Sequence, residues 1–218
     1  MPNWCYNSIE VNGSPENIGR IKAVILTLKN STEEDKKNNL FKALIGLPPE
    51  VEENEEYENG GWYNTNINWF GTKWDVDVNE FVQSVGKDYI LLSGETAWSP
   101  PINFCRVLAE TYGVQVSMYY EEPGCDFCGK CTIEADGTYV EEDYEYQEGI
   151  YRFEGFNEWY EREFASAMEW MVEEHQDEDE PNFNQIISDN YGFLTEEEVE
   201  ECASDLEKEM VAATGKEF

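Results

Sequence analysis

Net negative charge is the feature that most constrains what this chain can fold into and what it can bind. The 218 residues include 14 Lys+Arg and 48 Asp+Glu, which gives a formal net charge of −34. Residues 114–218 hold 5 of the bases and 31 of the acids, a net −26, which leaves −8 for residues 1–113. A folded surface with this field repels nucleic acid and anionic lipid, and it favours basic protein surfaces, metal cations or plain solubility.

The composition nevertheless predicts a folded protein. A hydrophobic fraction of 40% and an aromatic fraction of 14% are enough to form a core, whereas disordered acidic chains are poor in aromatic residues. The N-terminus lacks the basic and apolar segments of a signal peptide, and the most apolar run, Ile21 to Leu28, is short. We therefore expect a cytosolic protein in which the six cysteines stay reduced.

Residues 1–122 show the hydrophobic periodicity of alternating strands and helices. Alternation predicts four strands, and a serine followed by proline predicts the start of each long helix. The order strand, helix, strand, strand, helix, strand is the βαββαβ order of a ferredoxin-like sandwich. The predicted strands are 6–11, 74–78, 89–92 and 114–120, the helices begin at Ser14 and Ser99, and a short helix covers 33–45.

The rest of the chain reads as an addition to this domain. A hairpin is predicted over residues 131–146 with its turn at Asp136-Gly137, and helices follow. The last helix begins at Thr195, with Glu198 placed for a capping box. We predict an α+β protein with a ferredoxin-like domain at 1–122, which carries an insertion near 46–66, and an acidic β-hairpin and helical extension at 123–218.

Four sequence motifs stand out: MPNWCYN at 1–7, WFGTKWD at 69–75, TAWSPP at 96–101 and YEEPG at 120–124, the last followed by Phe127 and Gly129. Together they resemble the YubB-like family of phage and plasmid proteins. The resemblance covers roughly residues 1–140, and it implies a ferredoxin-like domain in a mobile-element accessory protein, with no catalytic residues to carry over. The chain departs from the family pattern in an insertion at 50–60 and in the acidic tail after Tyr151.

The aromatic motifs suggest a ligand cleft as one alternative. If the strand ending at Trp74, the turn at 96–101 and the strand end at 119–121 meet, they form a pocket beside a helix N-terminus. Such a pocket suits a nucleotide, because aromatic rings stack on bases and helix N-termini attract phosphate. The other interpretation is that the tryptophans are core residues. The candidate ligand residues are Lys73, Trp74, Trp98, Ser99, Tyr120 and Glu121.

Cysteine and histidine positions allow little further chemistry. Cys125, Cys128 and Cys131 have the spacing of a zinc knuckle, with Cys5 or Cys105 as a fourth ligand, although we expect free reduced thiols rather than structural zinc. The only histidine, His175, lies in an acidic segment, and no complete catalytic constellation is present. We therefore predict a binding protein and not an enzyme.

Acidic clusters in the second half are the predicted binding surface. Held on ordered elements, their carboxylates would compete with DNA for the basic surface of a host protein, such as a nucleic-acid-binding defence factor. The alternative is that they only keep the chain soluble. No direct nucleic-acid or membrane partner is expected. The candidate residues are Glu141, Glu142, Asp143, Asp177, Glu178, Asp179, Glu180, Glu196, Glu197, Glu200 and Glu201.

Overall fold

The computed structural model describes residues 3–33, 37–49, 51, 61–178 and 180–216. Most of the predicted insertion at 50–60, and Asp179 of the predicted binding surface, lie outside the described residues. The chain forms two compact units, Met1–Tyr144 and Glu145–Phe218, which we call the N-terminal unit and the C-terminal unit. None of the helices in the described parts of the chain combines the length and apolarity needed to cross a lipid bilayer.

The N-terminal unit consists of one antiparallel sheet and the helices that connect its strands. The strands are β1 Trp4–Asn12, β2 Val82–Val85, β3 Tyr89–Ala97, β4 Gln115–Glu122, β5 Phe127–Ile133 and β6 Tyr139–Tyr144. The helices are α1 Pro15–Lys29, α2 Leu40–Ile45, α3 Trp62–Trp69, α4 Val78–Phe81 and α5 Ile102–Tyr112.

The strand order is β2-β3-β1-β4-β5-β6. Its first four strands, with α1 after β1 and α5 after β3, have the ferredoxin-like arrangement, so the predicted α+β fold class is confirmed. Side chains of β1 alternate between buried and exposed along the strand, so that only one face of the sheet faces the core. That face packs with the apolar stripes of α1 and α5 into a single core cluster.

The strand predicted at 74–78 is wrong, because β2 lies later, at Val82–Val85. The carboxylate of Asp75 accepts hydrogen bonds from the backbone N–H groups of Phe41 (2.7 Å) and Lys42 (2.9 Å) at the start of α2. Asp77 in turn caps α4 through the N–H of Asn79. Two acids that look like the polar positions of a strand are therefore helix caps.

The hairpin β5–β6 extends the ferredoxin-like sheet. β5 pairs with β4 over its whole length and begins at Phe127, four residues before the predicted start. The predicted extension at 123–218 included this hairpin, whereas the contacts of the hairpin place it in the N-terminal unit. Its turn contains Gly137 at φ 79°, a left-handed conformation that glycine adopts without strain.

The C-terminal unit is entirely helical in its described residues. A buried aromatic cluster centres on Trp159, whose ring lies 5.0 Å from that of Tyr191 and 5.5 Å from that of Phe193. The elements are α6 Tyr146–Glu154, α7 Phe156–Trp159, a π-helical turn Tyr160–Phe164, α8 Ala165–His175, α9 Phe183–Asn190 and α10 Glu196–Thr214.

Candidate functional site: the acidic face of α10

The predicted acidic residues are divided between the two units. Glu141, Glu142 and Asp143 lie on β6 in the N-terminal unit, and the others that are described lie in the C-terminal unit. Glu141 is already engaged, because its carboxylate accepts a 2.6 Å hydrogen bond from the hydroxyl of Tyr120. The predicted acidic surface therefore consists of separate groups of carboxylates, one in each unit.

The acidic stretch that follows α8 is partly compensated by neighbouring groups. The Glu178 carboxylate lies 2.7 Å from Nδ1 of His175. The ammonium group of Lys216 donates to the carbonyls of Gln176 (3.1 Å) and Glu178 (3.5 Å). These contacts make the described acids of this stretch, Asp177, Glu178 and Glu180, the weaker candidate for an acidic binding surface.

The first turns of α10 present the strongest candidate surface. Glu196, Glu197, Glu200 and Glu201 are all exposed, and we call these four residues the acidic face of α10. Within the described part of the chain, none of their carboxylates forms an ion pair or a hydrogen bond. The face therefore presents four uncompensated charges.

The capping box predicted at Thr195 fixes the position of this face. The Thr195 hydroxyl accepts a hydrogen bond from the N–H of Glu198, and the Glu198 carboxylate accepts one from the N–H of Thr195. Burial opposes ionisation of Glu198, but hydrogen bonds from Thr195 and Tyr151 hold the pKa of this carboxyl below its ordinary value. On the opposite side of the helix, a buried stripe of Val199, Cys202, Leu206 and Met210 anchors α10 in the core.

The bases of the C-terminal unit are engaged elsewhere. Residues 145–218 contain 23 Asp+Glu and 4 Lys+Arg, a net −19. Within the described residues of this unit, none of the four bases contacts the acidic face of α10. Arg152 pairs with Glu148 (2.7 Å), Arg162 with Glu154 (3.3 Å) and Lys208 with Asp205 (2.6 Å), and Lys216 binds carbonyls.

Two tyrosines that support this surface were not foreseen from the sequence. The hydroxyl of Tyr151 donates to Glu198 (3.0 Å), and that of Tyr160 donates to Asp205 (2.6 Å). Glu198 and Asp205 are seven residues apart and therefore share one side of α10. The seven-residue spacing of Glu198 and Asp205 beside a buried stripe is a sequence signal that both carboxylates contact another helix. It does not show that Tyr151 and Tyr160 are the residues that bind them.

The aromatic motifs of the N-terminal unit do come together in part. The Ser99 hydroxyl donates to the carbonyl of Gly71 (2.6 Å), which joins the turn at 96–101 to the segment before Trp74. The Trp74 ring lies 5.9 Å from that of Trp4, and the ammonium of Lys73 lies 4.6 Å from the centre of the Trp74 ring. Trp98 is exposed and has a φ of 75°, an unusual backbone conformation for tryptophan.

The nucleotide cleft is not assembled as predicted. Tyr120 is only 3% exposed and is therefore unable to stack on a base. Ser99 has donated its hydroxyl to Gly71, the helix begins only at Ile102, and Glu121 accepts a hydrogen bond from Tyr119. The cleft beside Trp4, about 370 Å³ in volume, repels phosphate because its lining includes Asp75, Asp77, Glu80 and Glu95.

The three cysteines do not form a zinc site. Cys125 is exposed in a turn, whereas Cys128 and Cys131 are buried in β5 and, three residues apart, point to opposite faces of the strand. Burial raises the pKa of Cys131 to about 11, which disfavours the thiolate that zinc requires. In the parts of the chain that are described, no three His, Cys, Asp or Glu residues are grouped so as to hold a metal ion.

Residues 88–163 match the family model of a ferredoxin-like domain in Api92-like protein. The match covers about a third of the chain and agrees with the fold, since it spans β3, α5 and β4. It does not confirm the YubB-like family, which stays a prediction. Searches of curated proteins and of solved structures gave no match.

Proposed function

We propose that this protein is a non-enzymatic accessory protein of a phage or plasmid that binds and inhibits a host protein in the host cytosol. The partner presents a basic surface, and the acidic face of α10 is the contact. The observation that carries the proposal is the set of four exposed, uncompensated carboxylates on a capped and anchored helix.

The arrangement of these carboxylates supports binding over solubility alone. Glu196 and Glu200, and likewise Glu197 and Glu201, are four residues apart, so each pair lies on neighbouring turns of the helix. Like charges at this spacing destabilise a helix by about 0.2–0.5 kcal/mol per pair. The helix dipole favours Glu196 and Glu197 in the first turn, but its effect falls off before Glu200 and Glu201. A basic partner relieves this repulsion, whereas solubility alone requires no such clustering of charge.

The class of partner follows from the sign of the charges. B-DNA presents about one negative charge per 1.7 Å of its axis, and the Cβ atoms on neighbouring turns of a helix are about 5–6 Å apart, so the acidic face offers a sparser row of charges of the same sign. A protein surface that binds DNA phosphates would accept such a row. Binding would then inhibit the partner by competing with its nucleic acid.

Affinity capture from a host lysate tests the proposal. We expect wild-type protein to retain a host protein at low salt and release it at high salt, because screening weakens attraction between exposed charges. The variant with Glu196→Gln, Glu197→Gln, Glu200→Gln and Glu201→Gln should lose that protein. A control variant with the same charge change at Glu16, Glu80, Glu95 and Glu158, which are also exposed, should retain it.

Equal retention by both variants would contradict the proposal, because overall charge and not the acidic face would then explain capture. A captured protein that keeps its full affinity for DNA in the complex would contradict the inhibitory role. Circular dichroism of each variant checks that the helices are intact.

A further inference from the structure

An open groove runs between α8 and α10 in the C-terminal unit, on residues that the acidic face of α10 does not use. Its volume is about 510 Å³. Its floor is apolar and includes Met168 and Val172 of α8 and Ala213 of α10. Met168 and Val172 are half-buried and four residues apart, so they lie one above the other along the groove.

The floor has the properties of a surface that accepts another helix. Ala213 is exposed, and its small side chain leaves space beside Met168 and Val172. Methionine is flexible and polarisable, and therefore adapts to differently shaped apolar side chains. A partner that inserts apolar side chains here removes the exposed part of this floor from water.

The rim of the groove is acidic. Glu169, Glu173 and Glu209 line it and are all exposed, and the lining residues include no base. An apolar floor between carboxylates attracts a segment that is apolar on one side and carries Lys or Arg on its flanks. It repels acidic segments.

The length of the groove sets the size of the partner segment. α8 contains 11 residues, so it is about 16 Å long at 1.5 Å per residue. Three turns of a partner helix span the same distance. Such a helix presents apolar residues at positions i, i+3 or i+4, and i+7.

We propose that the groove between α8 and α10 binds a basic amphipathic helix of the partner protein. This inference rests on the proposed function, because it assumes that the partner of the C-terminal unit is basic. The partner then makes two contacts with this unit: its basic surface meets the acidic face of α10, and its helix occupies the groove.

A second copy of this chain is a poor occupant. The helix with the most charge, α10, carries 8 Asp+Glu and a single Lys over 19 residues, so a second copy would bring like charges to the rim. Charge complementarity therefore favours a different protein.

A peptide titration tests the groove. The probe is a helical peptide of about four turns, with leucines along one face and lysines elsewhere, and its control is a scrambled peptide of the same composition. Isothermal titration calorimetry of the full chain should show about tenfold tighter binding of the amphipathic peptide. Equal affinities for the two peptides would overturn the proposal.

Two matched pairs of variants locate the contact. Ala212 and Ala213 are neighbours and both exposed, but only Ala213 lines the groove. Ala213→Arg should weaken peptide binding about tenfold through bulk and charge, and Ala212→Arg, with the same change in charge, should have less than a third of that effect. Glu173→Gln should weaken binding more than Glu174→Gln, and this milder pair serves if an arginine variant does not fold.

The outcomes separate this inference from the proposed function. Suppose that Ala213→Arg and Ala212→Arg bind the peptide equally, but neutralising the acidic face still abolishes capture of the host protein. Only the groove proposal is then overturned. Suppose instead that capture does not depend on the acidic face, but the peptide binds Ala213→Arg more weakly than Ala212→Arg. Only the proposed contact on α10 is then overturned. A concentration-dependent dimer that Ala213→Arg disrupts would identify a second copy as the occupant and would also overturn the proposal.

Discussion

Asp75 is the residue that most clearly links distant parts of the N-terminal unit. Its carboxylate accepts hydrogen bonds from the backbone N–H groups of Phe41, Lys42 and Val76. Burial raises the pKa of this carboxyl to about 6, and the three hydrogen bonds oppose that shift only in part. The residue therefore stabilises α2 while it titrates close to neutral pH.

Asp75→Ala should lower the free energy of unfolding by about 1–3 kcal/mol, because it leaves three N–H groups without their acceptor. The raised pKa means that Asp75 holds its proton more tightly in the folded state than in the unfolded state. The contribution of this proton to the free energy of unfolding is therefore fully present below pH 3.8 and is lost as pH rises through about 6. The difference from wild type should therefore be larger at acidic pH than at alkaline pH. Urea denaturation measures this, and a loss that grows with rising pH would contradict the assignment.

The residue at position 129, in the motif that begins with YEEPG, is a glycine because the strand pairing leaves no space for a side chain. It pairs with Tyr120 across β4 and β5, and a Cβ at this position would lie 2.3 Å from the Tyr120 hydroxyl and 2.8 Å from the backbone carbonyl of Glu142. The tyrosine ring thus occupies the space that a side chain would need. This packing buries Tyr120 and removes it from any ligand cleft.

Gly129→Ala should destabilise the fold by about 1–3 kcal/mol, because the backbone carbonyl of Glu142 has little freedom to move. Gly19→Ala is the matched control, since a Cβ at Gly19 meets nothing within 4 Å. Its position inside α1 predicts a gain of up to about 1 kcal/mol. Thermal denaturation of both variants checks the pair, and equal effects would contradict this account of the motif.

Among the elements, α10 determines whether the proposed binding surface is rigid. Thr195→Ala removes the hydroxyl half of the capping box and should lower the free energy of unfolding by about 1 kcal/mol. Hydrogen exchange at the first turn of α10 should accelerate, and binding of the captured host protein should weaken although all four glutamates remain. Thr195→Ser should restore both properties, and unchanged exchange in Thr195→Ala would show that the cap does not hold this turn.

Elements with local signals were predictable from the sequence, and those fixed by distant contacts were not. Ser14 with Pro15 predicted α1, and Thr195 with Glu198 predicted the start of α10. The alternation at 74–78 predicted a strand wrongly, because the hydrogen bonds of Asp75 reach residues 33 and 34 positions away. Sequence alone does not show which polar side chain has a distant backbone partner.

The same limit applies to the candidate sites. The acidic residues of α10 are visible in the sequence, because their charge and helical spacing are local properties, and their role in binding stays a prediction. Whether a carboxylate is already paired is a property of the fold, as Glu141 with Tyr120 shows. The predicted nucleotide cleft does not form for a similar reason: Tyr120 is buried through its pairing with Gly129, which is a contact between two strands.

At the scale of the whole molecule, the two units differ in how they use charge. The N-terminal unit forms a ferredoxin-like sheet with a conventional core, whereas the C-terminal unit holds net −19 around an aromatic centre. That centre allows acidic helices to keep fixed positions despite their mutual repulsion. The proposed function requires this rigidity, since mobile carboxylates would lose conformational entropy on binding.

The most direct test of the account is a calorimetric titration of the captured host protein with wild-type chain and the four-glutamine variant of α10, at low and at high salt. The account predicts that neutralising the four residues weakens binding at least about tenfold at low salt, and that the affinities converge at high salt. If the four-glutamine variant binds with wild-type affinity, or if wild type and variant differ in affinity by the same factor at both salt concentrations, the account is contradicted.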